Sequence, residues 1–288
     1  MAYLLLTVSV VLSTGRNLLL KKLSSVGFGT RSFYLSQGLL FLCGGIVLLF
    51  LGKNPFGSVA FDTFLFAALY GLLLILAQWF YTMAIGRGNI TLCSTVYSLG
   101  FIFPALSGAI LWSEAFSLFD LLGIVCAMSA VIVSGLRPNE KKKADKANGF
   151  IPLVIAMLAS GGLGIVQKLQ QKSAYAEQKS VFLLLAFAFA AGISLLFSLF
   201  AEKRKDMPLQ RRDLAVASCV GLFFGCCNFL NTTLAGLLDS SSLYPMLNIG
   251  IILLSMLCGV AFFKEKINKR ESIVLVLGIA SILLLNFG

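Results

Sequence analysis

Histidine is absent from this 288-residue sequence and charge is scarce, with 12% of residues being Asp, Glu, Lys or Arg. A soluble domain carries about twice that share. Without an imidazole there is no histidine base, no histidine metal ligand and no histidine proton relay. The seven cysteines (Cys43, Cys93, Cys126, Cys219, Cys226, Cys227 and Cys258) all lie inside apolar runs, and no Cys-x-x-Cys occurs. They are expected to pack as small hydrophobes. No Asp or Glu lies deep in an apolar run, and no connection exceeds about a dozen residues. Those absences leave no catalytic constellation and no loop domain to hold one, so neither an enzyme nor a cofactor is expected.

What fills the chain is apolar: 58% of residues, in long uninterrupted runs. A bilayer-spanning helix needs about 20 mostly apolar residues. The runs predict helices over roughly 3–23, 30–52, 61–86, 90–112, 117–136, 150–171, 180–201, 213–237, 240–263 and 271–287. Turn signals such as Gly52-Lys53-Asn54-Pro55, Gly86-Arg87-Gly88-Asn89 and Asp206-Met207-Pro208 separate them. Met1 to Leu12 carries no basic residue and is expected to be a retained first helix rather than a cleaved signal. The expected fold is an all-α integral membrane protein with ten transmembrane helices.

The two halves resemble each other. At a shift of 150, Gly71 meets Gly221, Gln78 meets Asn228, Thr82 meets Thr232, Gly86 meets Gly236 and Gly100 meets Gly250. One residue further on, Gly108 meets Gly259 and Glu114 meets Glu265; at a shift of 147, Ser13 meets Ser160, Gly15 meets Gly162 and Lys21 meets Lys168. An odd number of helices per half makes the repeats inverted, the arrangement of many transporters. The expected organisation is a first five-helix repeat over 1–136, a basic cytoplasmic linker over 137–148 and a second repeat over 149–288. The net charge of +11 is distributed as topology demands: 18 of the 23 Lys and Arg fall on the linker's side, four on the other, and Arg16 within the first helix. The positive-inside rule puts the linker in the cytoplasm and both termini outside. Basic residues gathered at helix ends and in short connections also argue against nucleic acid as a partner.

Two motifs carry a family resemblance. Phe103-Pro104-Ala105-Leu106, Gly108 and Trp112-Ser113-Glu114 precede Gly123 and a last apolar helix; Tyr244-Pro245, Gly259 and Phe263-Lys264-Glu265 precede Gly278 and Asn286. With the repeat, these make the chain resemble the ten-helix EamA-type permeases of the drug/metabolite transporter superfamily. The resemblance implies export or exchange of small organic molecules. Two departures stand out: Ser113 and Lys264 occupy positions where the family commonly has glycine, and members usually keep their termini in the cytoplasm.

Candidate substrate-binding residues are the polar and aromatic side chains inside the helices. Arg16 is costly at bilayer depth; it is either an anion anchor beside Asn17 or a side chain snorkelling to the headgroups, five residues from Lys21. Gln78, Trp79, Tyr81 and Thr82 form a cluster matched by Asn228, Asn231 and Thr232, with the i, i+4 pairs sharing a face. Such clusters line cavities or hydrogen-bond helices together. Tyr97, Tyr244 and Asn248 would extend the lining, and Gln167 and Lys168 would complete it. Glycines 161, 162, 164, 221 and 225 are expected to serve close packing. Glu114 and Glu265 are expected to be structural.

Arg16 without an acidic partner favours amino-acid-like or other carboxylate solutes moved by alternating access. A multidrug or organic-cation exporter and a non-transporting structural subunit are the other readings. The expected partners are a small-molecule substrate and the lipid bilayer. The expected setting is the plasma or inner membrane, multi-pass, as a monomer or homodimer.

Overall fold

The computed structural model describes residues 1–23, 30–52, 59–87, 96–135, 150–201, 210–263 and 269–287. The basic linker, Glu265, Lys264 and Cys93 lie outside the described residues. Among those described are ten α-helices of eleven residues or more: α1 (Ala2–Leu23), α2 (Arg31–Leu51), α3 (Phe61–Arg87), α4 (Ile102–Trp112), α5 (Leu118–Gly135), α6 (Phe150–Lys172), α7 (Lys179–Phe200), α8 (Arg211–Leu237), α9 (Ser240–Phe263) and α10 (Lys269–Phe287). The apolar runs place them to within a residue or two, with one exception. The fourth predicted helix, 90–112, is described from residue 96 on and is helical from there to Trp112, with a 3-10 turn, Leu99–Phe101, between residues 96–98 and α4. By length and composition six helices (α1, α2, α3, α6, α7 and α8) can cross a membrane. The other four present shorter apolar stretches of 10–17 residues. Large apolar side chains such as Leu4, Phe50, Ile110, Phe200 and Val276 stand exposed on the outside, as a surface facing lipid requires.

Helix ends are set locally. Thr30 caps α2 by accepting from the Phe33 N–H. Ser117 and Asp120 exchange side chain-to-backbone hydrogen bonds in a capping box at α5, and Gln210 and Asp213 do the same at α8. α4 stops at Ser113, which adopts the left-handed conformation at φ 50°.

Packing gives two apolar cores. One gathers α2, α3, α7 and α8 around Phe33, Phe41, Tyr70, Phe182 and Phe187. The other gathers α4, α5, α9 and α10 around Ala105, Ala127, Val131, Leu243 and Ile249. α1 and α6 each touch both neighbourhoods: α1 packs on α8 and α9, and α6 packs on α3, α4 and α8. Small residues make the first core tight. A Cβ on Gly221 would run into the Leu40 carbonyl, and one on Gly225 into the Gly44 carbonyl, so α2 and α8 touch backbone to backbone. Lipid offers apolar side chains no advantage in leaving it, so such close approach carries helix association.

The left-handed Ser113 costs an L-residue about 1–2 kcal/mol that glycine does not pay. Ser113→Gly is therefore expected to raise the thermal unfolding midpoint in detergent and Ser113→Val to lower it. Equal midpoints for both variants would contradict this.

Candidate substrate cavity

Between the two cores lies a cavity of about 200 Å³, walled by α1, α3, α4 and its leading turn, α6, α8 and α9. It is graded along its length. Asn17 is exposed and Tyr81, Tyr97, Ser98, Ser160 and Asn248 are half-buried, whereas Tyr70, Gln167, Asn228 and Tyr244 are buried. The buried end is where α6 and α8 finish and α9 starts. The exposed end is where α1 and α3 finish and α6 starts, the end to which the basic linker connects.

Arg16 is the one charged residue among those described as lining the cavity. Its Nη2 donates to Gln78 Oε1 at 2.7 Å, and its guanidinium carbon lies 3.9 Å from the centroid of the Phe224 ring. Buried Nε has no acceptor among the described residues. The snorkelling alternative does not describe this arrangement: the head is turned inward, held by an amide and an aromatic face. The remaining guanidinium donors are a fork suited to a carboxylate.

The closed end is a hydrogen-bonded floor. Tyr70 Oη donates to Asn228 Oδ1 at 2.5 Å and accepts from Gln167 Nε2 at 2.7 Å, while Asn228 Nδ2 donates to the Phe224 carbonyl at 2.8 Å. Tyr244 Oη donates to the Gly164 carbonyl at 2.6 Å, and Asn248 Nδ2 donates to the Tyr244 carbonyl at 3.0 Å. Asn231 accepts from Ser9 at 2.5 Å. At the open end the Tyr81 and Tyr97 rings lie 4.3 Å apart between centroids, tilted by 35°.

Nine of the residues singled out from sequence line this cavity: Arg16, Asn17, Tyr81, Tyr97, Gln167, Asn228, Asn231, Tyr244 and Asn248. Five do not. Gln78 stands behind Arg16 as its partner, and the Thr82 hydroxyl donates to the Gln78 carbonyl one turn earlier. Trp79 turns away into an aromatic cluster with Phe33, Tyr34 and Phe197. Thr232 is fully buried, its hydroxyl unpartnered among the described residues. Lys168, expected in the lining, is instead tied to Glu114: its Nζ lies 2.6 Å from Glu114 Oε1 and donates to the Leu238 carbonyl at 2.8 Å. Burial alone would push the Glu114 carboxyl up; the Lys168 ammonium and the Ser240 N–H more than offset it and hold it below its ordinary value. A lowered pKa means the pair contributes fully above the ordinary carboxylate range and is lost as pH falls through the depressed value.

Sequence reasoning passed over Tyr70, Phe224, Cys227, Ser13 and Ser160 as lining. Ser13 and Ser160 were signalled by their match at a shift of 147. Tyr70 lies eight residues before Gln78, two helical turns down. Its weight in the floor is testable. Tyr70→Phe strands the Asn228 carbonyl and a Gln167 N–H in a buried setting, expected to cost about 1–3 kcal/mol. Thermal unfolding in detergent reads this as a lowered midpoint; an unchanged midpoint would remove Tyr70 from the centre of the floor.

Known proteins resemble the chain at three levels. A family model described as the EamA-like transporter family matches residues 147–287. A protein of Haemophilus influenzae, described as uncharacterized, is 24% identical over 226 residues, covering 75% of this chain and 73% of its own. A solved crystal structure superposes with a TM-score of 0.77 at 16% identity, covering 98% of this chain and 95% of that one; at that identity it speaks for the fold alone. The match to the family falls on the second half, and the structural likeness spans both halves. Residues 147–287, just under half of the chain, are thus similar to the EamA-like transporter family, and six of the described helices are long and apolar enough to cross a membrane, a likeness that points to a multi-pass membrane transporter of small molecules.

Proposed function

We propose that this protein carries small organic carboxylates, amino-acid-like solutes among them, by alternating access through the cavity between its two cores. The observation that carries the substrate class is Arg16, a lone guanidinium in a lining without a carboxylate among the described residues. An organic cation would meet a like charge there with no counter-charge to hold it. A cavity of about 200 Å³ also falls below the span of about 300–1,000 Å³ that drug-sized ligands occupy, which suits a small metabolite.

The reading includes ten transmembrane helices in two inverted five-helix repeats, 1–136 and 149–288. Lining positions support it, because they pair across the repeat. Tyr81 with Asn231, Tyr97 with Leu247, Ser98 with Asn248 and Phe101 with Ile251 are each 150 apart, while Ser13 with Ser160, Arg16 with Leu163 and Asn17 with Gly164 are each 147 apart. Helix packing also pairs: α1 on α8 matches α6 on α3, α2 on α8 matches α7 on α3, and α1 on α9 matches α6 on α4. On this reading Arg16 faces the cavity from one half, and Leu163 takes its place in the other. The carboxylate then has one wall to bind, and the rest of the solute meets amides and aromatic rings.

Charge distribution supports a linker on the cytoplasmic side of a plasma or inner membrane. The cavity described above would then be open to the cytoplasm and closed to the outside. The partners are the solute and the lipid bilayer, with the protein acting as a monomer or homodimer.

Counterflow in proteoliposomes tests the substrate class. Radiolabelled amino acids and organic acids are expected to exchange, and organic cations are not. Arg16→Gln is expected to lower carboxylate exchange by about tenfold or more, the loss of a charge-assisted hydrogen bond, with Arg16→Lys intermediate. Exchange of cations alone would overturn the carboxylate class. A folded protein that moves no solute would return the structural-subunit reading.

A further inference from the structure

Beneath the cavity floor sits an ion pair that the substrate site does not use. Glu114 follows α4, Lys168 lies in α6, and the two approach to 2.6 Å with 5% and 2% of their side chains exposed. Backbone groups complete the pair with fixed polarity: the Ser240 N–H at the start of α9 donates to Glu114 Oε2 at 2.8 Å, and Lys168 donates to the Leu238 carbonyl at the end of α8 at 2.8 Å. Four elements therefore meet at two charges. Sequence spacing connects them to the floor. Lys168 adjoins Gln167, and Ser240 is about one turn from Tyr244, whose hydroxyl is bound to Gly164.

A second cation stands beside the first. Lys172, one turn along α6, is 3.9 Å from the same Glu114 oxygen but half-exposed, with 46% of its side chain accessible. If Lys168 withdrew, Glu114 would not be stranded; an ammonium at the water edge is already within reach. A buried pair is costly to form and weak as a stabiliser, and its best-attested use is to fix one arrangement against another. Gly108 leaves the room for it: a Cβ there would collide with Glu114 and with Ser240.

Resting on the reading of the cavity as a transport route, we propose that Glu114 and Lys168 form the latch that closes the far end of that route. Opening transfers Glu114 from Lys168 to Lys172. The polarity of the backbone partners makes the latch directional. An exchanged pair, Glu114→Lys with Lys168→Glu, would set a cation against the Ser240 N–H and an anion against the Leu238 carbonyl, so it should not restore closure.

Cys227 reports the result, since it lines the cavity and is buried. In a chain whose other six cysteines are replaced, its alkylation by a membrane-impermeant thiosulfonate is measured from each face of sealed vesicles of both orientations. Glu114→Gln and Lys168→Met are each expected to speed labelling from the far face by about tenfold or more. Lys172→Gln is expected to leave it at or below the parent rate, and the exchanged pair to stay fast. Unchanged far-face labelling in variants with a parental thermal midpoint would overturn the latch. So would a Lys172→Gln variant as fast as Glu114→Gln, or failure of both single variants to fold, which would assign the pair to the fold. Labelling needs no solute, so loss of the carboxylate reading would leave these outcomes intact.

Discussion

A guanidinium inside an apolar bundle has to be satisfied by the bundle itself, and much of this structure is arranged around that need. Arg16 reaches inward rather than to the headgroups, to Gln78 on α3 and the Phe224 face on α8. Those contacts bring α1 against the elements that carry the polar floor. Gln78 is held in turn by the apolar body of α3, and Thr82 caps its carbonyl. What is left over is several unpaired donors beside a small chamber. In low dielectric such a group attracts an anion far more strongly than it would in water.

The chamber exists because two tightly packed cores leave a seam. Glycines at 221 and 225 draw α8 onto α2 and consolidate one core, while α1 and α6, which belong wholly to neither, form the walls of the seam. A route lined by two bodies can open at either end by moving one against the other, provided that something holds each end shut. At the described closed end we assign that role to a pair of charges fixed by backbone dipoles, with Lys168 next in sequence to Gln167 of the hydrogen-bonded floor. The repeat in the sequence sets Glu265 against Glu114 and Lys21 against Lys168, so each half carries the same two residue types.

Most of the helices were legible because lipid imposes a simple rule on sequence: long apolar runs with polar punctuation. The 3-10 turn ahead of α4 was not, because an apolar run records burial and not a local change of helix type inside it. The cavity was partly legible. Asn228, Gln167 and Tyr244 stood out as polar groups in apolar surroundings. Tyr70 did not, since tyrosine is at home in a membrane protein and only its two amide partners reveal its role. Gln78 and Trp79 were read one layer too close to the cavity: helical periodicity gives a shared face but not which neighbour that face meets. Lys168 was misplaced for a related reason. A lysine in an apolar run signals that a partner exists, and the partner was Glu114, 54 residues away in sequence and in the other half. Ser113, just before that glutamate, takes the left-handed backbone that glycine adopts most readily.

The central claim is that Arg16 makes this chamber an anion site. Ligand-dependent thermal stabilisation of the purified protein tests it most directly, since a ligand that binds only the folded state raises the midpoint. A panel of small carboxylates is expected to stabilise the parent protein and to leave Arg16→Gln unmoved, while matched organic cations stabilise neither. Stabilisation by the cations, or an undiminished carboxylate response in Arg16→Gln, would contradict the account.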